Sequence, residues 1–173
     1  SQGSARTPTW RACSSRPRGF PSCLKAAAIR DWARHNMSPD PHAGGDSGDE
    51  YRVTSLYLDT PDLAVYDRRG SYGRSKYRVR RYGASDLIFL ERKLKTNNRV
   101  GKLRSIVPLD ELPWLEAIDS PRRWAGHWFH RRVQARNLAP VCQISYSRTA
   151  RLGLSESGPI RLTVDQDLRA LPA

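Results

Sequence analysis

A chain of 173 residues, 38% hydrophobic and 27% charged, is long enough for one domain with its own core and too apolar for a disordered composition. Lys and Arg total 30 against 17 Asp and Glu, and a formal net charge of +13 points to an anionic partner: nucleic acid, phosphates or an anionic lipid surface. Charge alone favours nucleic acid, the commonest partner of such a chain. No run approaches the ~20 apolar residues of a bilayer span, and the N-terminus lacks the apolar core of a signal peptide. The cysteines, Cys13, Cys23 and Cys142, form no CxxC pair and no metal-type spacing, so the chain reads as a cytoplasmic protein with reduced thiols.

Residues 1–20 are rich in Ser, Arg and Pro without periodicity and read as a disordered basic arm, leaving one domain over 21–173. Leu24, Ala27, Ala28 and Trp32 recur at helical spacing behind Pro21 and predict a helix over 21–36. Residues 38–50 hold Pro, Gly and acids and read as a loop, with His42 exposed in it. From Tyr51 the period changes to two. Residues 51–59 form a strand, and Thr60-Pro61-Asp62 caps a short helical turn through Leu63, Val65 and Tyr66. Gly70 and Gly73 mark a turn before a strand over 75–83. A hairpin turn at Gly83–Asp86, a strand over 86–95, a turn at Thr96-Asn97-Asn98 and a strand from Val100 to Val107 follow.

Pro108 to Ile118 suits a helix, and Ser120-Pro121 signals the start of another over 121–137. In the latter His127 and His130 lie at i and i+3, and they read as surface histidines before they read as a metal pair. Residues 141–154 and 160–168 are strands joined by a turn over 155–159. At least six antiparallel strands with short turns and few helices make an α+β fold built on a strongly curved sheet or barrel. No Rossmann or P-loop glycine pattern occurs, and no helix-turn-helix, zinc-finger or RNP-type signature supports nucleic-acid binding.

Strand alternation sets the chemistry. One face of 75–83 carries Lys76, Arg78, Arg80 and Tyr82, and the other Tyr77, Val79 and Arg81. One face of 86–95 carries Phe89, Glu91, Lys93 and Lys95, and the other Ile88, Leu90, Arg92 and Leu94. As a hairpin the two basic faces lie side by side with Glu91 as the one acid, and like charges across a sheet are destabilising. An anion with several oxygens resolves this, since Arg forks pair bidentately with phosphate and Lys acts as a point charge. An ordinary solvated sheet face is the plain alternative. Against it, Arg81 and Arg92 make the opposite faces only partly apolar, and the pattern recurs as Tyr146 with Arg148 and as Arg161, Thr163 and Asp165. Inward cations on four strands predict a polar lumen.

Five stretches stand in order along the chain: Ser55-Leu56-Tyr57-Leu58-Asp59-Thr60-Pro61-Asp62 with Tyr66 beyond; Tyr77-Arg78-Val79-Arg80-Arg81-Tyr82-Gly83; Phe89-Leu90-Glu91-Arg92-Lys93 with Lys102 and Arg104 downstream; Ser145-Tyr146-Ser147-Arg148-Thr149-Ala150; and Arg161-Leu162-Thr163-Val164-Asp165. Together, over residues 51–169, they resemble the VTC domain, the polyphosphate-polymerase module of the vacuolar transporter chaperone complex that also occurs in bacterial proteins. The likeness implies the CYTH-like, triphosphate-tunnel fold: an α+β antiparallel β-tunnel with flanking helices. It also implies synthesis of inorganic polyphosphate from ATP with a divalent metal, Mn²⁺ or Mg²⁺.

Carried over by position, the phosphate-gripping residues are Arg78, Arg80 and Lys93, given the catalytic role, with Lys102, Tyr146, Arg148 and Arg161 binding phosphate. Glu91 is the candidate metal ligand, and Asp165 is the other acid on a lumen face. The partners so implied are ATP and polyphosphate, not nucleic acid; eukaryotic relatives sit on membranes, which leaves a membrane-protein partner open. Two departures from the pattern stand out. Residues 1–20 lack an opening strand of the type Arg-Tyr-Glu-x-Lys, and the chain ends at Ala173 before the strand that carries a metal-binding Glu and nearby Lys. The tunnel is therefore expected to be incomplete at both ends, with unpaired edges. The competing readings are a tunnel that holds polyphosphate or another phosphorylated ligand without chemistry, and a basic nucleic-acid binder.

Overall fold

The computed structural model describes residues 23–41, 48–97 and 99–173. The arm expected over 1–20 and the exposed His42 lie outside the described residues. Helix α1 (Cys23–Asn36) leads to the two-residue strand β1 (Ser38–Pro39). Strands β2 (Glu50–Asp59), β3 (Ser75–Tyr82), β4 (Leu87–Thr96) and β5 (Arg99–Pro108) follow as an antiparallel succession. Helix α2 (His127–Ala135) precedes a long hairpin of β6 (Ala139–Ser155) and β7 (Gly158–Pro172). All of the strands join one seven-stranded sheet. Strand β6 is its longest member: it pairs β2 along one edge and β7 along the other, while β1 extends the β2 edge at Ser38↔Leu152. The outermost strands, β5 and β7, both line one cavity, through Arg104 and Ile106 on one side and Arg161 on the other. The sheet therefore curls about that face, as the alternating strands predict.

A smaller core cluster, of Tyr51, Val53, Tyr146 and Ala150, is buried on the inner side of the curl, and the larger one lies on the outer side. Leu58, Tyr77, Val79, Ile88, Leu90 and Val107 project there and pack against Phe129 and Val133 of α2, with Trp124 and Leu138 at its flanks. Removing so much apolar surface from water, at about 25 cal/mol per Å², is what holds α2 to the sheet. This corrects the expectation of mixed outer faces. Arg81 sits at the rim and donates to the carbonyls of Ala84 and Ser85. Arg92 donates to Ser75 and covers the ring of Tyr77 at 5.8 Å.

Four local expectations change. Ser38 and Pro39, expected to open a loop, pair with Leu152 and Arg151 of β6 as β1. The helix over 108–118 is a 3₁₀ helix, Leu109–Leu115, with Pro113 inside it; proline offers no N–H to continue an α-helical ladder. The helix over 121–137 starts only at His127, because residues 121–126 turn to bury Trp124. The turn after Thr60 is not helical: Leu63 and Arg68 both have a φ of 58°. It is held instead by the buried Asp59 carboxylate, which accepts from the backbone N–H groups of Thr60, Val65 and Tyr66, while the Thr60 hydroxyl accepts from Ala64.

His127 and His130 are not surface histidines. His130 is buried, and its Nε2–H donates to the Ala117 carbonyl at 2.9 Å. A carbonyl only accepts, so Nδ1 of His130 is left to accept from the Ser120 hydroxyl at 3.0 Å. His127 reaches the same hydroxyl through its Nδ1 at 3.0 Å, and the pair pins the loop before α2. No helix of the described residues is long and apolar enough to cross a membrane.

Gly126 is where this packing is tightest. A Cβ there would meet the Trp124 ring at 2.5 Å and Leu90 Cδ1 at 2.6 Å, both core groups. Gly126→Ala is expected to lower stability by about 1–3 kcal/mol, as overpacked cores do. Urea denaturation reads this directly, and an unchanged midpoint would mean that Trp124 packs elsewhere.

Candidate phosphate-binding face

The strand registers set the inner face in rows. Tyr57 pairs with Arg78, Arg78 with Glu91 and Glu91 with Arg104. One row along, Ser55 pairs with Arg80, Arg80 with Phe89 and Phe89 with Ile106. On the other side of the first row, Lys76 pairs with Lys93 and Lys93 with Lys102. Arg78, Arg80 and Lys93 are thus brought together as their spacing predicts, and Lys102, placed by the family resemblance, joins them. Tyr146 of β6 and Arg161 of β7 reach the face from the opposite side: Tyr146 OH accepts from Arg80 at 3.4 Å, and Arg161 donates to Tyr51 OH at 3.2 Å.

Glu91 is the centre of the first row. It is 2% exposed, and three cations hold it: Arg78 at 2.5 Å, Lys102 at 2.8 Å and Arg104 at 2.5 Å. Burial would raise its pKa, but these cations bring it down from 4.5 to about 2. Both of its oxygens are engaged, so a metal ion there would have to displace cations. Among the described residues no group of three or more His, Cys, Asp or Glu gathers to hold a metal. The acids of this face therefore do not fit a divalent metal by themselves, and no step is derived through one.

The other cations fall into two kinds. Arg148 is committed to Asp165 through a two-pronged contact of 2.6 and 2.8 Å, which raises its pKa. Arg161 pairs with the buried Asp40. Arg80 is different. It is 6% exposed, donates to Ser55 Oγ at 2.9 Å and lies over the Tyr82 ring at 5.8 Å, yet among the described residues no carboxylate pairs with it. Lys76 and Lys93 likewise make no salt bridge among the described residues. Burial would push the Tyr82 phenol up, yet Arg80 and Arg104 hold it below its ordinary range. The field at this end of the face thus favours negative charge.

The site residues carried over by resemblance include neither Arg104 nor the rings of Tyr51 and Tyr57, whereas alternation already puts Lys76 and Tyr82 on the basic face. Arg104 was within reach of the alternation rule, since it stands two residues beyond Lys102 on the same strand. Its place beside Glu91 needed the β4–β5 register.

A curled antiparallel sheet with its larger core outside and rows of Arg and Lys inside defines a β fold of the triphosphate-tunnel kind. A family model, the VTC domain, matches residues 25–173, and the chain belongs to that family. Among solved structures, a candidate adenylate cyclase of Bacillus halodurans matches with a TM-score of 0.54 at 16% identity, over 84% of this chain and 69% of that one. The PH1819 protein of Pyrococcus horikoshii OT3 scores 0.46 at 10% identity, over 80% and 66%. A candidate adenylyl cyclase of Hippeastrum with a dominant triphosphatase activity scores 0.47 at 11% identity, over 86% and 76%. The Bacillus likeness shows the CYTH-like fold. A search of curated proteins returned no match.

Proposed function

We propose that the inner face binds ATP and inorganic polyphosphate and transfers the γ-phosphoryl group of ATP to the end of a polyphosphate chain. The observation that carries this is Arg80: a buried guanidinium without a carboxylate partner among the described residues. An unpaired buried charge is costly, and a phosphate resting between Arg80, Arg78 and Tyr146 removes the cost. Arg78 and Arg80 act as forks that orient the phosphates. Lys93 and Lys102 are point charges that neutralise the oxygens, and Arg148 and Arg161 extend the lining. A new P–O bond forms to the terminal oxygen of the chain as the β–γ bond breaks, and its electron pair leaves with ADP. Little covalent chemistry falls to the protein, so positioning and charge suffice.

The divalent metal that the VTC likeness implies finds no acid cluster among the described residues. That observation favours a second reading, a binding module without turnover. The experiment is conversion of ATP to polyphosphate with Mn²⁺ or Mg²⁺ present, by the wild type and by an Arg78→Ala, Arg80→Ala double variant. Product from the wild type and none from the variant supports the polymerase. Polyphosphate binding without product supports the binding module.

A further inference from the structure

The basic residues of this chain do not all face inward. Helix α2 and the loop before it, residues 120–138, contain no Asp or Glu. Arg131 and Arg132 are exposed on α2, and Arg132 stands four residues from Arg136, where like charges repel across one turn. Arg136 lies over the Tyr72 ring, 4.9 Å from its centre, and its Nη1 is buried with no hydrogen-bond partner among the described residues. Tyr72 packs against the outer core and belongs to the 3₁₀ helix Gly70–Arg74, which ends on the exposed Arg74 where β3 opens. Two residues further on, Lys76 starts the lysine row of the inner face. A line of cations thus leaves that face at Lys76 and passes outward through Arg74 to Arg136. It continues along α2 to Arg132 and Arg131, the latter about 7.5 Å from Arg136 along the helix axis.

The acids of the segment before this line are spent elsewhere. Asp62 and Asp67 both pair with Arg69, and Asp59 holds backbone N–H groups. Among the described residues Arg74, Arg131, Arg132 and Arg136 make no salt bridge. The dipole of α2 favours cations in its last turn, but it does not account for Arg74 and Lys76, which stand on other elements. A compact anion meets one or two of these side chains. A long, flexible polyanion meets all of them in series.

We infer that this outer strip, from Arg74 over Arg136 to Arg131, is a second binding surface, and that it takes the part of a long inorganic polyphosphate chain lying outside the curl. This rests on the phosphate-binding reading above and extends it to a surface that shares no residue with the inner face. Tripolyphosphate held on the inner face has no phosphates left over to reach the strip. The strip therefore adds affinity for long chains alone, as a second linked site does.

The test is calorimetric titration of the full chain with tripolyphosphate and, separately, with long-chain polyphosphate, each at several salt concentrations. It uses the wild type, an Arg131→Gln, Arg132→Gln double variant and Arg74→Gln. Glutamine keeps a long polar side chain and suits a helix, and all three positions are exposed. Long-chain affinity is expected to fall on the order of tenfold in the double variant, and by less in Arg74→Gln, with tripolyphosphate affinity unchanged. The log–log salt slope of long-chain binding should become shallower by about 0.7 for each arginine removed. Variants that bind both ligands as the wild type does, or weaken both alike, overturn the outer strip and leave the phosphate reading standing. A wild type that binds neither ligand overturns the phosphate reading, and the strip with it. A single-stranded oligonucleotide that binds more tightly than polyphosphate at the same salt, and is lost in the same variants, makes the strip a nucleic-acid surface and overturns the assignment.

Discussion

Arg80→Ala is expected to weaken tripolyphosphate binding by roughly ten- to a hundred-fold, the loss of one charge-assisted hydrogen bond of about 1.5–3 kcal/mol. Its effect on stability should run the other way. Arg80 is buried beside Ser55, Tyr82 and Tyr146 with no carboxylate to pair with among the described residues. In the unliganded protein this charge opposes folding, and its removal relieves that opposition against some lost packing of its aliphatic stem. Thermal denaturation without ligand should show the variant as stable as the wild type or more so, while the stabilisation that tripolyphosphate confers on the wild type disappears. A variant that unfolds at markedly lower temperature yet still binds the ligand would show Arg80 to be a packing residue.

Glu91→Gln should have the opposite profile. The carboxylate is enclosed by Arg78, Lys102 and Arg104, and its loss leaves three cations facing one another. Removing one partner of a buried charge network costs about 3–5 kcal/mol. The pH dependence carries the same sign. The folded-state pKa of about 2 lies below the ordinary 4.5, so the stabilisation is complete above pH 4.5 and is lost as the pH falls through that interval. The depression corresponds to about 3 kcal/mol. Urea midpoints measured between these limits should fall more steeply for the wild type than for the variant, in which Asp49, held down by Arg34 and Arg151, still titrates. Because the freed cations are those proposed to meet phosphate, tripolyphosphate should bind the variant more tightly and restore much of its stability. Weaker binding by the variant would instead place Glu91 on the ligand's side, as a metal ligand would be.

The strands from β2 onward, their order along the chain and the shared face of Arg78, Arg80 and Lys93 were legible in the sequence, because a period of two places each residue on a face without further information; Lys102 came only from the family resemblance, and β1 fell in a stretch that reads as a loop. What escaped was set by contacts distant in sequence. Glu91 looked like a lone acid among repelling cations, and only the β4–β5 register shows that it draws Lys102 and Arg104 to itself. The burial of His130 depends on the Ala117 carbonyl and Ser120, on a loop whose path no periodicity encodes. Arg81 and Arg92 misled for a similar reason: read by position they spoil the apolar face, whereas long side chains reach past it to the rim. The shortened helices trace to Pro113, and to Trp124 turning inward where a continuous helix would have carried it past the core.

The placement of Phe129, Val133 and Leu90 on the outer side of the curl has a consequence for how such a protein changes over time. The seam with α2 is secured on one surface and the cations gather on the other, and alternate residues of the same strands serve the two. Substitutions on the inner surface leave the greasy seam with α2 untouched. Descendants can exchange the side chains of the inner face while the scaffold remains recognisable in shape, as the fold shared with the Bacillus protein at 16% identity illustrates.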